Sequence, residues 1–226
     1  MTQPTPVQTG RKTPGEDLFI SIILDRSGSM GSVRDDTIGA INALVSDIAT
    51  QDGKTLLTLT QFDSQSVDVI LDAAPIDRVP PLTHATFQPR GSTPLLDAVG
   101  NTLSTMQRTI ERIGWTGSIL VVVVTDGQEN ASTQWTRTSV FALVKALEAA
   151  GWGFTYLGAS PDAYADAQQL GFAAGSTSRW EHDGRNVASV GQSISAQAGR
   201  WRKGQAAAHE LILDAERKIM EKKHAR

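Results

Sequence analysis

Two short apolar runs that end on aspartate constrain the fold of this chain more than any other feature. They are "LFISIILD" at residues 18–25 and "SILVVVVTD" at residues 118–126. A strand with one solvated face alternates apolar and polar residues, whereas a near-continuous apolar run indicates a strand buried on both faces, as in parallel sheets. The second run is the more apolar, so we predict that it lies at the centre of a mostly parallel sheet.

Segments with helical spacing separate the predicted strands. Apolar residues recur every three or four positions in residues 35–51, 93–112 and 137–150, which predicts three helices. Thr93 and Thr136 are the predicted N-cap residues of the second and third of these helices. The alternation of strands with helices predicts an α/β fold, with a doubly wound sheet and helices on both of its faces.

A predicted hairpin adds one antiparallel strand to this sheet. In residues 55–63 and 66–72, apolar and polar residues alternate more than they form continuous apolar runs, and only Ser64 and Gln65 separate the two segments. The second of these strands is therefore predicted to be an antiparallel edge strand. Two further strands bring the predicted sheet to about six strands, and they lie within residues 153–160 and 172–180.

The chain divides into three predicted parts. Residues 1–16 are polar and contain three prolines, which predicts a disordered N-terminal arm. Residues 17–180 form the predicted α/β domain, and residues 181–226 a C-terminal helical extension packed on it. The extension carries an apolar stripe along one helical face, which consists of Ala208, Leu211, Ile212, Ala215 and Ile219. A partner chain is the alternative surface for this stripe.

Composition and charge exclude several classes of protein. The chain has no cysteine, so it forms no disulfide and no thiolate metal site, and its four histidines lack zinc-site spacing. Residues 199–226 have a net charge of +4. Because the whole chain has a net charge of −3, residues 1–198 have a net charge of −7. This balance argues against nucleic-acid binding. Neither a signal peptide nor a run of about 20 apolar residues is present, which predicts a cytoplasmic protein without a membrane segment.

Polar side chains collect where the predicted strands end. Parallel strands place their carboxyl ends at one edge of a sheet, where ligands of doubly wound folds bind. The segments "DRSGS", "RGSTP" and "TDGQEN" all fall at this edge, and they supply the candidate metal ligands Asp25, Ser27, Ser29, Thr93 and Asp126. Side chains at i, i+2 and i+4 of an extended segment point the same way, so the first three can converge. An all-oxygen set favours Mg²⁺ or Mn²⁺, and Ca²⁺ less.

These motifs resemble a known family. "DRSGSM", the threonine of "GSTPLLDAV" and the aspartate of "VVVVTDGQEN" resemble the metal-ion-dependent adhesion site (MIDAS) of von Willebrand factor A (vWA) domains, most of all the stand-alone bacterial type. By the order of its elements, the resemblance covers residues 17–175. It implies that Ser27, Ser29 and sometimes Thr93 bind the metal directly, and that the two aspartates bind mostly through water. The sixth position would be left for an acidic residue of a partner protein.

We therefore expect a metal-dependent protein-binding module rather than an enzyme. The predicted partner presents Asp or Glu, and an AAA+ ATPase is one candidate because many bacterial vWA proteins work beside one. We expect a monomer or a weak dimer. A Mg²⁺-dependent hydrolase or phosphatase is the alternative, although aspartyl phosphatases need a second aspartate where Ser27 stands. An RNA-associated vWA module fits the acidic body poorly. The predicted partner-binding rim consists of Arg26, Met30, Arg90 and Gln128.

Overall fold

A six-stranded sheet flanked by five helices makes up the part of the chain that the structure, a computed structural model, describes. That part comprises residues 17–127, 129–159, 162–173, 176–179 and 187–202. The strands are β1 (Leu18–Asp25), β2 (Thr55–Phe62), β3 (Val67–Pro75), β4 (Ser118–Thr125), β5 (Gly153–Gly158) and β6 (Thr177–Arg179). The helices are α1 (Arg34–Ala49), α2 (Leu95–Ile113), α3 (Arg137–Ala149), α4 (Ala163–Gln169) and α5 (Val187–Arg202). The predicted arm at residues 1–16 and the apolar stripe of the C-terminal segment lie outside the described residues.

The order of the strands confirms the predicted doubly wound sheet. The order is β3-β2-β1-β4-β5-β6, and β3 alone is antiparallel to its neighbour. β1 and β4 lie side by side at the centre, and every residue of both strands is buried, as their apolar runs predict. Because β1 and β4 are parallel, Asp25 and Thr125 end their strands at the same edge.

Alternate side chains of the central strands enter two separate cores. On β1, Phe19 and Ile23 belong to the core beneath α2, α3 and α4. Ile20, Ile22 and Leu24 belong to the core on the opposite face, which α1 and α5 cover. The molecule therefore has three layers, and a sheet buried on both faces leaves only its edges and strand ends available to a ligand. Within the described ranges, no helix has the length and apolar character needed to span a membrane.

Helix α5, which belongs to the predicted C-terminal extension beyond residue 180, packs directly on α1 and the sheet. Ile194 and Ala198 are buried in the core, and Gln51 at the end of α1 donates to the carbonyl and the hydroxyl of Ser195 at 2.9 and 2.8 Å. Arg202 closes the helix with a 2.7 Å bond to the Thr55 hydroxyl. α5 therefore ends beside the first residue of β2.

The two predicted N-caps have different outcomes. Thr136 caps α3, because its hydroxyl accepts the Ser139 N–H at 3.2 Å in a capping box, as predicted. α2, by contrast, begins at Leu95 after Pro94 and has no side-chain cap from its own chain segment. The prediction that Thr93 caps α2 is therefore wrong, and the loop after β4 supplies the missing partners, as described below.

Two glycine-to-alanine substitutions test the packing of α5 on α1. Both should gain about 0.8–1 kcal/mol of helix propensity. A Cβ on Gly39 would meet nothing within 4 Å, whereas a Cβ on Gly191 would lie 2.7 Å from the Ala40 carbonyl oxygen. We expect Gly39→Ala to raise the free energy of unfolding and Gly191→Ala to lower it by about 1–3 kcal/mol, measured by urea denaturation. Equal stabilisation by both would contradict the close packing.

Candidate metal-ion site

Three loops meet at the carboxyl edge of the sheet and bring together the predicted oxygen ligands, Asp25, Ser27, Ser29, Thr93 and Asp126. The hydroxyl oxygens of Ser27 and Ser29 lie 3.2 Å apart. The Ser29 hydroxyl in turn donates to Asp126 Oδ1 at 2.9 Å. The loop after β1 is thus joined through its hydroxyls to the loop after β4, 97 residues further along the chain.

Gly127 marks the point around which the remaining oxygens gather. A Cβ atom at this glycine would lie 3.1 Å from Thr93 Oγ1, 3.5 Å from Ser29 Oγ and 3.8 Å from Asp25 Oδ2. One small space therefore has oxygens from all three loops on its boundary. A side chain at residue 127 would fill that space, so the absence of a Cβ keeps it open.

Burial differs strongly within the cluster. Asp25 is 0% exposed, Ser27 1% and Thr93 2%, whereas Ser29 is exposed and Asp126 half-buried. The cluster is therefore a shallow site with a buried floor and one side open to solvent. Such a site can hold a small ion and still offer it to a second molecule.

The carboxylate of Asp25 is held in place by two hydrogen bonds. Its Oδ1 atom accepts the Ser27 N–H at 2.7 Å, and its Oδ2 atom accepts the Thr125 hydroxyl at 2.6 Å. Burial raises the pKa of Asp25 to about 6, against the lowering effect of the bonds from Thr125 and Ser27 and with a further rise from the neighbouring Asp126 carboxylate. A nearby cation favours the ionised form of such a group.

Residues of the loop after β4 cap α2, so the Thr93 hydroxyl does not serve as the cap of this helix. Glu129 Oε2 accepts the Leu96 N–H at 2.8 Å, and the Ser132 hydroxyl accepts the Asp97 N–H at 3.0 Å. Asn130 accepts the Thr93 N–H at 2.8 Å and donates its own N–H to the Thr93 carbonyl at 3.1 Å. Two loops far apart in sequence thus form one unit.

Asp97 completes this connection from the helix side. Its carboxylate accepts the backbone N–H groups of Thr133, Gln134 and Trp135 at 2.8, 2.9 and 2.7 Å. Burial raises the pKa of Asp97, but these three donors outweigh that effect and lower the pKa below its usual value. The sequence analysis missed Asn130, and the acidic and amide run directly after Asp126, to which Asn130 belongs, is the signal that could have indicated a loop-holding role.

The predicted partner-binding rim is only partly at the surface. Arg26 is 8% exposed and Met30 0%, so the rim prediction is wrong for these two residues. Met30 lies in the core beside α1, and Arg26 turns inward because it pairs with a buried carboxylate. Arg90 is exposed and stays a rim candidate, while Gln128 lies outside the described residues.

That buried carboxylate belongs to Asp63, at the turn between β2 and β3. Its Oδ2 atom accepts Arg26 Nε at 2.8 Å and Arg90 Nε at 2.9 Å. Burial raises the pKa of Asp63, but the bonds from Arg90, the turn N–H groups and Arg26 together lower it below its usual value. The same loops are joined by backbone bonds, since the Arg90 N–H donates to the Arg26 carbonyl at 2.8 Å and the Gly28 N–H to the Gly91 carbonyl at 3.0 Å.

The donor set fits a small hard cation. In octahedral coordination at about 2.1 Å, neighbouring oxygens lie roughly 3.0 Å apart, and the measured separations of 3.2 and 2.9 Å around Ser29 match this spacing. In the described part of the chain, no three His, Cys, Asp or Glu side chains form a metal-binding group. A site here would therefore depend on hydroxyl ligands beside two carboxylates, a set that suits Mg²⁺ or Mn²⁺.

Solved structures with a similar fold include von Willebrand factor type A domains. Proximal thread matrix protein 1 from the mussel byssus, with a zinc-occupied MIDAS motif, has a TM-score of 0.57 at 15% identity, covering 83% of this chain and 46% of its own. A von Willebrand factor type A protein from Catenulispora acidiphila has a TM-score of 0.57 at 12% identity, with coverages of 82% and 43%. The manganese-loaded TRAP protein of Plasmodium vivax has 0.52 at 14%, with coverages of 74% and 70%.

The chain therefore has the fold of a vWA domain, as the sequence motifs predicted. At these identities the likeness establishes the fold alone, and the stand-alone bacterial type stays a prediction. The chain spans less than half of the mussel and Catenulispora chains, at 46% and 43%. No protein-family model matches the sequence, and no curated protein matches it.

Substitution of Gly127 tests the space inside the oxygen cluster. The methyl group of Gly127→Ala would lie 3.1 Å from Thr93 Oγ1, so we expect Mg²⁺ affinity to fall roughly 10- to 100-fold. The free energy of unfolding should change by less than about 1 kcal/mol, because Gly127 is half-exposed. Gly31→Ala is the matched control, since its Cβ would meet only Pro89 at 4.0 Å. Calorimetric titration that shows wild-type affinity for Gly127→Ala would contradict the assignment.

Substitution of Asp63 tests the buried ion pair. Asp63→Ala leaves two guanidinium groups without their shared acceptor, and removal of one partner of a buried pair costs about 3–5 kcal/mol. Asp68→Ala is the control, because Asp68 also pairs with Arg26 at 2.8 Å but its side chain is 43% exposed, which limits the loss to about 1 kcal/mol. Denaturant unfolding measures both. Similar losses would mean that the buried pair has no special role.

Proposed function

We propose that this chain is a metal-dependent protein-binding module. The observation that supports the proposal is a space bordered by oxygens of Thr93, Ser29 and Asp25, which is closed below and open to solvent at Ser29. Ser27 and Asp126 join this cluster through their contacts with the Ser29 hydroxyl. The ligand set is Asp25, Ser27, Ser29, Thr93 and Asp126. The bound ion would supply a positive charge that attracts a carboxylate. The mussel and Plasmodium proteins, which carry zinc and manganese, support a divalent ion here. We propose Mg²⁺, because all the candidate ligands are oxygen atoms.

Binding rather than catalysis is favoured by the state of the carboxylates. Both oxygens of Asp25 accept hydrogen bonds, from Ser27 and from Thr125, which hold the carboxylate in one orientation, and each oxygen keeps a lone pair for an ion or for a water bound to it. Asp126 accepts a hydrogen bond from the Ser29 hydroxyl. These contacts orient the groups around an ion and give no support to the hydrolase alternative.

The proposed partner is a protein that presents an Asp or Glu side chain. We expect the two aspartates to bind mostly through water, so the ligands in direct contact with the ion are neutral hydroxyls. The charge of a divalent ion is then incompletely balanced by its direct ligands, and the ion retains attraction for one more carboxylate. An AAA+ ATPase is one candidate for this partner, and the cytoplasm is the proposed location. Arg90 lies beside the cluster with its side chain 46% exposed, where it can also contact an acidic surface.

Titration with Mg²⁺ and with Mn²⁺ tests the ion. We expect weak, saturable binding to the wild-type chain, because several ligands are waters in the proposed site. Asp25→Ala combined with Ser27→Ala should abolish binding in a calorimeter, since it removes one carboxylate and one hydroxyl from the floor. Ser46→Ala, on the exposed face of α1, is the control. Undiminished binding to the double variant would place the ion elsewhere.

Paired peptides test the partner class. Peptides with a central Asp or Glu should bind the wild-type chain in the presence of Mg²⁺, and the matching Asn or Gln peptides should not. Chelation with EDTA, or Thr93→Ala, should remove the binding. Peptide binding that survives chelation would contradict the proposal, and phosphate release from a general phosphatase substrate that requires Mg²⁺ and Asp25 would favour the hydrolase alternative.

A further inference from the structure

A groove of about 490 Å³ runs between the β2–β3 hairpin and helix α2, on the face of the sheet opposite α5. Its walls are mostly threonine and valine side chains from the two strands, together with one side of α2. Among the lining residues are Thr58, Thr60, Val67, Val69, Thr105 and Met106. Clefts of this volume are large enough to accommodate a ligand or an apolar segment of a polypeptide.

The described elements leave the groove uncovered, and its lining combines apolar side chains with threonines, Asn101 and Asp72. β3 is the edge strand, and on it Val67 is 41% and Val69 55% exposed. The floor is buried, with Phe19 at 0% and Met106 at 4%. Thr60 is 1% exposed, and its hydroxyl has no hydrogen-bond partner among the described residues. The exposed valines of the edge strand favour an occupant, since uncovered apolar side chains favour a covering surface.

The end of α5 places one segment of the chain close to this groove. Arg202 bonds to the Thr55 hydroxyl at 2.7 Å, and Thr58 in the groove wall follows Thr55 on the same strand by about 10 Å. Because α5 lies on the opposite face and ends beside the first residue of β2, the segment that follows would have to pass around the end of that strand to reach the groove. The 24 residues from 203 to 226 continue from this point.

The same segment carries an apolar face that could cover the groove. Its stripe from Ala208 to Ile219 would extend over about 17 Å as a helix, and the α2 wall from Asn101 to Thr109 is about 12 Å long. Residues 203–207 can bridge up to about 17 Å, and Gly204 permits a change of chain direction there. The N-terminal arm offers only Val7 and Met1 as long apolar side chains, so it suits the groove poorly.

We propose that residues 208–222 form an amphipathic helix whose apolar stripe docks into the groove of its own chain. Leu211, Ile212 and Ile219 cover Val67 and Val69, and the charged face of the helix stays in solvent. The docked helix forms a further helix on the α2 face of the sheet and protects the open edge at β3. This surface is separate from the oxygen cluster, so the proposal is independent of the proposed function.

Engineered cysteines test the docking, because the full chain contains none of its own. Val69→Cys with Ile212→Cys should form an intramolecular disulfide on mild oxidation. The matched control is Val69→Cys with Arg217→Cys, which lies on the opposite side of the predicted helix. Docking raises the effective concentration of the first pair of thiols, so we expect it to react at least roughly tenfold faster than the control pair. Non-reducing gels separate this product from dimers.

Each outcome decides between occupants. A fast intramolecular product, lost when Leu211→Asp and Ile219→Asp are added, supports docking within one chain. Disulfides that join two chains at micromolar concentration would assign the stripe to a second copy and overturn the proposal. Equal rates for the two pairs would mean that the stripe contacts no groove of its own chain, which also overturns it. Circular dichroism of each reduced variant checks that the domain is folded.

Discussion

The buried carboxylate of Asp63 determines the geometry of the candidate site. Its Oδ2 atom accepts hydrogen bonds from the guanidinium groups of Arg26 and Arg90, and its Oδ1 atom accepts two backbone N–H groups of the hairpin turn. Arg26 lies between Asp25 and Ser27 in the chain. Because successive side chains of extended backbone point in opposite directions, fixing Arg26 against Asp63 directs its two neighbours to the other side, where the oxygen cluster lies. A residue that sequence reasoning placed on the partner-binding rim thus positions the ligands from inside.

A second set of bonds fixes the other half of the cluster. Two carboxylates accept backbone N–H groups here. Asp97 accepts three from the loop after β4, and Glu129 accepts one from the start of α2. Since this loop caps α2, the Thr93 hydroxyl is left to face Gly127 and the serines. Hydrogen bonds within the protein therefore hold donors from three loops in one place. Preorganised donors lose little conformational entropy when a ligand arrives.

Sequence alone predicts the sheet and the meeting of the candidate ligands at its edge better than it predicts the contacts that hold them there. The apolar runs that end at Asp25 and Asp126 identify the central strands and their common edge, since burial on both faces leaves a direct trace in composition. The role of Arg26 leaves no such trace, because its partner lies 37 residues away and depends on the hairpin. Thr93 shows the same difficulty: a threonine before a helix predicts a cap, and only the folded loop reveals that Glu129 and Ser132 cap α2 instead.

The distribution of charge in the cluster explains why an open site suits this set of ligands. Asp25 is a carboxylate with 0% exposure, and burial raises its pKa to about 6, so the fold pays a desolvation cost to place it there. By the resemblance, the two aspartates bind mostly through water, so a carboxylate at position 27 or 29 would place a negative charge in direct contact with the ion and reduce its attraction for a further carboxylate. The two hydroxyls instead supply oxygen without charge, while keeping the spacing that a small ion requires. In the proposed function, the missing negative charge comes from a partner, so the affinity for that partner depends on both the ion and the neutrality of the serines. Replacing Ser29 by Asp should therefore tighten ion binding and weaken capture of acidic peptides, and a calorimetric comparison of the two affinities would separate this charge effect from simple loss of a ligand.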